Sequence, residues 1–224
     1  MTTLQFASRP LVRLTRRGAS AIDSPVDVAA ARIAFERQHA VHLPELLDRD
    51  LLHFVQRQIE IDGFRERVHD ALPDRPVDLV LNPSCASAAL LLAANDVAFL
   101  ELARLVTGRA EIQSFLGTIH RRLSHAAHAC AWHDDLVDGR VAALTINLGP
   151  EPYEGGVLQI RREADGEIVY EHAVTGAGDA ILFKLDPAIE HRVTEPTGRA
   201  ARTVFTGWFR TEPVRELFAM TAAG

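Results

Sequence analysis

Apolar and polar positions change rhythm part-way along this chain. From Arg140 onward, short β-branched and apolar runs alternate with turn signals, and no helical period separates them. The run 140–148 is stopped by Gly149-Pro150, and Tyr153-Glu154-Gly155-Gly156 is a turn feeding 157–161. Asp165-Gly166 links that run to 167–172 as a hairpin turn does. Gly176-Ala177-Gly178-Asp179 precedes 180–183, and the runs 189–194 and 202–210 complete the series. Strands at roughly ten-residue spacing predict a sandwich or jelly roll, whose mouth can hold a metal or a small ligand.

The first half keeps the helical period instead. Leu51, Leu52, Val55 and Ile59 recur at helical spacing behind Asp48, a good N-cap, and predict a helix to about residue 61. Residues 38–43 read as a strand before Pro44, and 9–17 as a strand or a loose arm. A proline-rich link, 73–83, leads to a second helical region over 84–107, with a break at Asn95-Asp96 and a stop at Gly108. The expected fold class is mainly β with supporting α. One domain spans 1–224, with N-terminal strands and supporting helices over 1–110 and a jelly-roll core over 111–212.

Composition narrows the function classes. An apolar content of 47% in 224 residues suits one globular domain with a sizeable core. A net charge of -6 without a basic stripe or tail argues against nucleic acid as a partner. The start lacks a continuous apolar segment, and the apolar run 86–94 is too short to span a bilayer, so no membrane is expected. Two cysteines, Cys85 and Cys130, make no disulfide framework, and a reducing, cytoplasmic location is expected.

Candidate chemistry centres on Trp132-His133-Asp134-Asp135 and the distant His191. In an extended segment residues i and i+2 share a face, so His133 and Asp135 converge while Asp134 points away. Two imidazoles and one carboxylate are the set that leaves one side of an iron(II) ion open, as a catalytic site requires. A zinc site built from His120, His125, His128 and His133 is disfavoured. No Cys-x-x-Cys accompanies it, and the spacings do not keep one strand face.

Five elements in order carry a resemblance: His133-x-Asp135; Tyr153-Glu154-Gly155-Gly156-x-Leu158; Gly178-Asp179-Ala180-Ile181-Leu182-Phe183; His191-x-Val193; and Gly198 leading to Arg202 and Trp208-Phe209. The series, from about Ile112 to Arg210, resembles the iron(II)/2-oxoglutarate-dependent oxygenases, in particular the branch that includes the prolyl hydroxylases. The resemblance implies a double-stranded β-helix barrel, Fe(II) as cofactor, and 2-oxoglutarate and O2 as cosubstrates. It implies that His133, Asp135 and His191 are the metal ligands and that Arg202 grips the far carboxylate of 2-oxoglutarate. A guanidinium suits that task through its planar pair of donors. Arg199 is the neighbouring alternative, but strand parity sets Arg202, Val204, Thr206 and Trp208 on one face. Thr206 falls where relatives place a small hydroxyl near the cosubstrate. Asn147 falls where some relatives use a tyrosine as a second carboxylate contact. Halogenating relatives lack the carboxylate ligand, so Asp135 points to oxygen insertion or hydrogen abstraction.

The expected activity is oxidation of a small-molecule or amino-acid-derived substrate, by hydroxylation, desaturation or cyclisation, with release of succinate and CO2. Two alternatives stay open: a cupin-like barrel that binds metal or ligand without turnover, and a hydroxylase acting on a peptide side chain. Arg122, Arg161 and His120 are the candidate substrate contacts, and for the arginines a solvated strand-end position is an equal reading.

Overall fold

Alternation along the C-terminal strands sorts their side chains onto two faces, and both faces are buried. The computed structural model describes residues 10–21, 24–68, 77–124, 131–137, 139–173 and 176–213. In chain order the elements are β1 (Val12–Thr15), β2 (Gly18–Ala21), α1 (Pro25–Gln38), β3 (Ala40–Leu43), α2 (Arg49–Ile61), β4 (Phe64–Val68), β5 (Val77–Leu81), α3 (Cys85–Ala94), α4 (Val97–Thr107), β6 (Ser114–Arg122), β7 (Arg140–Asn147), β8 (Glu154–Gly155), β9 (Leu158–Arg162), β10 (Ile168–His172), β11 (Ala180–Lys184), β12 (Ile189–Val193), β13 (Pro196–Thr197) and β14 (Arg202–Arg210).

A seven-stranded sheet runs in the order β3-β11-β7-β14-β6-β5-β4, with antiparallel pairing throughout. A three-stranded sheet, β10-β9-β12, lies against one face of it. The short ladder β8–β13 stands where a plain turn was expected at 153–156. The jelly-roll expectation is met by two facing sheets, and their ladders do not close into a continuous barrel.

The outer face of the large sheet carries Phe115, Ile119, Leu144, Ile146, Leu182, Phe205 and Phe209 against the helices. From α2 come Leu51, Leu52, Val55 and Ile59, all buried, each contributing about 1.5–3 kcal/mol. The Asp48 carboxylate accepts the Leu51 N–H at 2.7 Å and starts α2 where the sequence predicts. The expected helix 84–107 is two helices. Asn95 at the break donates to the Phe115 carbonyl and accepts the Phe115 N–H, both at 2.8 Å, which pins the corner to β6. Among the described residues no single helix is long and apolar enough to cross a membrane, and α3 and α4 meet at a 58° bend.

Two expectations need correction. The helix α1 was not foreseen, because its alanines and scattered charges blur the apolar period. Within the supposed link 73–83, residues 77–81 form β5, which pairs with β4 and β6. Prolines and charges hide these strands, and β4 is exposed along most of its length.

The inner face of the large sheet is arranged in cross-strand rows. Trp208 stands opposite Leu116 and Ala143; Thr206 opposite Thr118 and Thr145; Val204 opposite His120 and Asn147; Arg202 opposite Arg122. Facing these rows, the small sheet contributes Leu158, Ile160 and Ile189 to a second apolar core shared with Ala143, Ile181 and Phe183. His191 lies on β12 between the inward residues Ile189 and Val193, so its ring enters the space between the sheets.

Candidate metal centre

His133 belongs to no strand. Its segment is tied to β12 by one isolated antiparallel bridge, in which His133 and His191 exchange backbone hydrogen bonds of 3.1 and 2.8 Å. The chain then turns. The Leu136 N–H donates to the Asp134 carboxylate at 3.1 Å, the Val137 N–H to the Asp135 carbonyl at 2.9 Å, and Asp135 takes the left-handed conformation at φ 58°. The convergence of His133 and Asp135 was expected from the pleat of an extended strand. It arises instead from this turn, in a conformation that aspartate tolerates better than most residues.

The turn brings one ligand atom each from His133, Asp135 and His191 within 4.8 Å of one another. Asp135 Oδ2 lies 3.7 Å from His133 Nε2 and 3.4 Å from His191 Nε2. His133 Nδ1 sits 2.8 Å from the Ala131 carbonyl. An N–H donated there leaves the lone pair on Nε2, facing the cluster. The Trp208 indole N–H donates to Asp135 Oδ2 at 2.9 Å, and Arg140 approaches Oδ1 at 3.8 Å while lying 3.7 Å above the Trp208 ring. His191 is buried, with its ring 4.9 Å from that of Phe183, whereas His133 and Asp135 remain partly exposed.

Burial works on both kinds of ligand. It pushes Asp135 up, but the hydrogen bond from His191, the charges of the two imidazoles and the Trp208 indole outweigh it and hold the carboxyl at about 2. Burial pushes His191 down, against the pull of Asp135. A carboxylate and a neutral imidazole are the protonation states that ligate metals.

Similarity to known proteins agrees with this geometry. The family model of the 2OG-Fe(II) oxygenase superfamily matches residues 119–210. Over that segment, less than half of the chain, the sequence is similar to that superfamily. A 2OG-Fe(II) oxygenase-family oxidoreductase from Burkholderia pseudomallei has a similar structure, with TM-score 0.65, 14% identity, and coverage of 89% of this chain and 96% of that one. A Pseudomonas putida prolyl-4-hydroxylase gives TM-score 0.59 at 20% identity, covering 82% and 98%. A Trichoplax adhaerens prolyl hydroxylase, solved with a peptide fragment of hypoxia-inducible factor, gives 0.63 at 14% identity, covering 86% and 91%. No match was found among curated proteins.

That similarity points to Fe(II), 2-oxoglutarate and O2, and the donor set of the centre fits them. Two imidazoles and a carboxylate can hold iron with positions to spare. For a dianionic cosubstrate, Arg202 offers a guanidinium on a residue that is only 5% exposed. Nearby chemistry has unmet capacity: the buried hydroxyls of Thr145 and Tyr153 have no hydrogen-bond partner among the described residues.

The remaining candidates separate by face. Arg122, His120 and Thr206 share the inner face with Arg202; His120 Nε2 is 2.6 Å from the Thr118 hydroxyl, and the Thr206 hydroxyl donates to the Leu144 carbonyl. Asn147 is buried and already engaged: its amide donates to the Gly176 carbonyl at 3.1 Å and accepts the Gly149 N–H at 3.0 Å. Arg161 turns to the outside of the small sheet, ion-paired with Glu190 at 2.6 Å and stacked on Trp132. His125 and His128 lie outside the described residues. Sequence reasoning did not single out Thr145 on the inner face. It had a readable signal, since alternation along β7 sets it on the face opposite Leu144 and Ile146.

Proposed function

We propose that this chain is an iron(II)- and 2-oxoglutarate-dependent oxygenase that hydroxylates a small molecule, with His133, Asp135 and His191 as metal ligands and Arg202 as the cosubstrate anchor. The observation that carries the reading is the convergence of those three side chains beside Trp208, on the sheet face that also presents the buried Arg202.

When bound, the metal with 2-oxoglutarate and O2 supplies the oxidising power that turns a substrate C–H into C–OH, leaving succinate and CO2. The chain's own residues do the rest. His133 keeps Nε2 available by giving its other N–H to the Ala131 carbonyl. Trp208 fixes the direction of the Asp135 carboxylate. Phe183, Leu158 and Ile160 wall the space between the sheets with apolar surface and limit water. Arg202 presents two parallel donors to a carboxylate. Arg122 and His120 share its face and are the groups we assign to a polar or anionic part of the substrate.

The test is succinate formation from 2-oxoglutarate with iron(II), stimulated by a substrate and lost in His133→Ala. A protein that takes up metal but neither binds 2-oxoglutarate nor forms succinate would instead be a binding barrel.

A further inference from the structure

The outer face of the large sheet carries a cavity of about 440 Å³, a volume within the range of small-molecule sites. The second half of α2 forms one wall and the segment after β7 the other; the Gln56 amide joins them by donating to the Leu148 carbonyl at 3.1 Å. Ile59, Ile61, Leu148 and Pro150 line the cavity with apolar surface, and Ile61 keeps 75% of its own surface in water. Exposed apolar surface gathered in a hollow is a mark of a binding site. The floor is the rung Arg121–Thr203 of the ladder between β6 and β14. The next rung, Arg122–Arg202, presents its side chains to the inner face, so the cavity and the candidate metal centre lie on opposite sides of the sheet.

Positive charge gathers at one end. A second hollow, of about 420 Å³, shares Gln56 and Arg57 with the first, and Arg16, His53 and Asp50 complete its lining. Arg16 lies over the Phe54 ring at 4.7 Å. Against Arg16 and Arg57 this lining sets one carboxylate, Asp50. In the first cavity Arg121 already has a partner, Glu60 at 3.2 Å. Arg57, at the junction, is exposed and makes no ion pair or hydrogen bond among the described residues. An apolar hollow joined to a basic one at an unused guanidinium matches an apolar body with an anionic head. The body leaves water against the isoleucines, and a carboxylate takes both arms of the guanidinium fork.

We propose that the joined cavities bind a small amphipathic carboxylate, with its apolar body against Ile59, Ile61, Leu148 and Pro150 and its head on Arg57. The site shares no residue with the candidate metal centre and does not depend on it.

The test titrates the full, metal-free chain calorimetrically with octanoate, with octan-1-ol, which lacks the charge, and with acetate, which lacks the apolar body. Octanoate is expected to bind about tenfold or more tightly than either. Arg57→Gln is expected to weaken octanoate about tenfold and to leave octan-1-ol unchanged, because the charged fork goes and the apolar walls stay. Ile61→Asp is expected to weaken both compounds. Both substituted side chains are exposed, so the variants are expected to keep the Tm of the unmutated chain. No binding of octanoate at millimolar concentration overturns the proposal, and so does an equal affinity for octan-1-ol. Octanoate held elsewhere, on the inner face for example, would bind both variants as tightly as the unmutated chain, which also overturns it.

Discussion

Replacing Trp208 by phenylalanine removes one hydrogen bond and little else. The ring stays large enough to cover the inner face, and Arg140 keeps an aromatic surface beneath its guanidinium, now 3.7 Å from the Trp208 ring. What goes is the indole N–H held 2.9 Å from Asp135 Oδ2. A hydrogen bond to a charged group contributes about 1.5–3 kcal/mol, and in a chain of this size each kcal/mol moves Tm by about 2–4 °C. The metal-free variant should melt several degrees lower. The Asp135 carboxyl, held at about 2 with Trp208 among its supports, should also titrate higher. A depressed carboxyl gives stability that is present above its unfolded pKa and lost as pH falls through the folded value, so Trp208→Phe should begin acid unfolding at a higher pH. The larger effect concerns metal. Asp135 sits in a left-handed turn outside any strand, and Trp208 fixes its carboxylate direction. Loss of such a supporting hydrogen bond typically weakens metal binding about 10–100-fold. Zinc titration by calorimetry measures this directly. An unchanged zinc affinity alongside a lowered Tm would falsify the view that Trp208 orients a metal ligand, leaving it a packing residue.

Three further outcomes follow from the same geometry. Trp132→Ala removes a ring lying 4.4 Å from both Arg161 and Arg192; at about 0.5–2 kcal/mol per cation–π contact, zinc affinity should fall several-fold with helix content unchanged, and wild-type affinity would refute a clamping role. Gly207→Ala places a Cβ 2.1 Å from the Leu116 carbonyl oxygen and 2.4 Å from Gly117 Cα, both backbone atoms that cannot step aside. It should cost more than about 3 kcal/mol, and a Tm near that of the unmutated protein sinks the argument. His172 is pushed below its ordinary value by burial and by the neighbouring His42. The unfolded chain therefore binds this proton more readily, and stability falls as pH drops from about 6.5 toward the lowered folded value. His172→Phe should flatten the urea midpoint over that window, and an unaltered slope contradicts the assignment.

The strands around the centre were legible because each has one buried, alternating face and is bounded by glycine or proline turns. The elements missed lack such a face. β4 is mostly exposed, β5 follows a proline-rich stretch, and in α1 only Ala31, Ala34 and Phe35 are buried. Parity on β14 was a sound guide: it set Arg202, Thr206 and Trp208 on one face, and the ladder to β6 and β7 agrees. Parity applied to His133 and Asp135 expected the convergence that the structure shows, but through another geometry, since a positive φ at an aspartate leaves no mark in sequence. For Arg161 the same test decides between the two readings in favour of the strand-end position. Leu158 and Ile160 face the second core, so Arg161 belongs to the other side. The commitment of Asn147 to Gly149 and Gly176 is a tertiary fact that no local pattern carries.

Both tryptophans of the chain act on the segment that carries two of the three proposed ligands. Trp132 grips the outside of the small sheet through Arg161 and Arg192; these are held in turn by Glu190 at 2.6 Å and Gln159 at 2.8 Å. Trp208 reaches the same segment from the large sheet through Asp135. The segment lies in neither sheet, and one backbone bridge to β12 is its ladder contact. Strand pairing alone thus fixes His191 firmly and His133 weakly, and it does not fix Asp135. The two indoles supply what the ladder does not, Trp132 tying the segment to the small sheet and Trp208 tying it to the large one. The geometry of the centre therefore depends on the spacing between the sheets as well as on the turn itself. Substitutions in the second apolar core, such as at Phe183 or Ile160, should alter metal affinity through that spacing without touching a proposed ligand, except where Phe183 packs on His191.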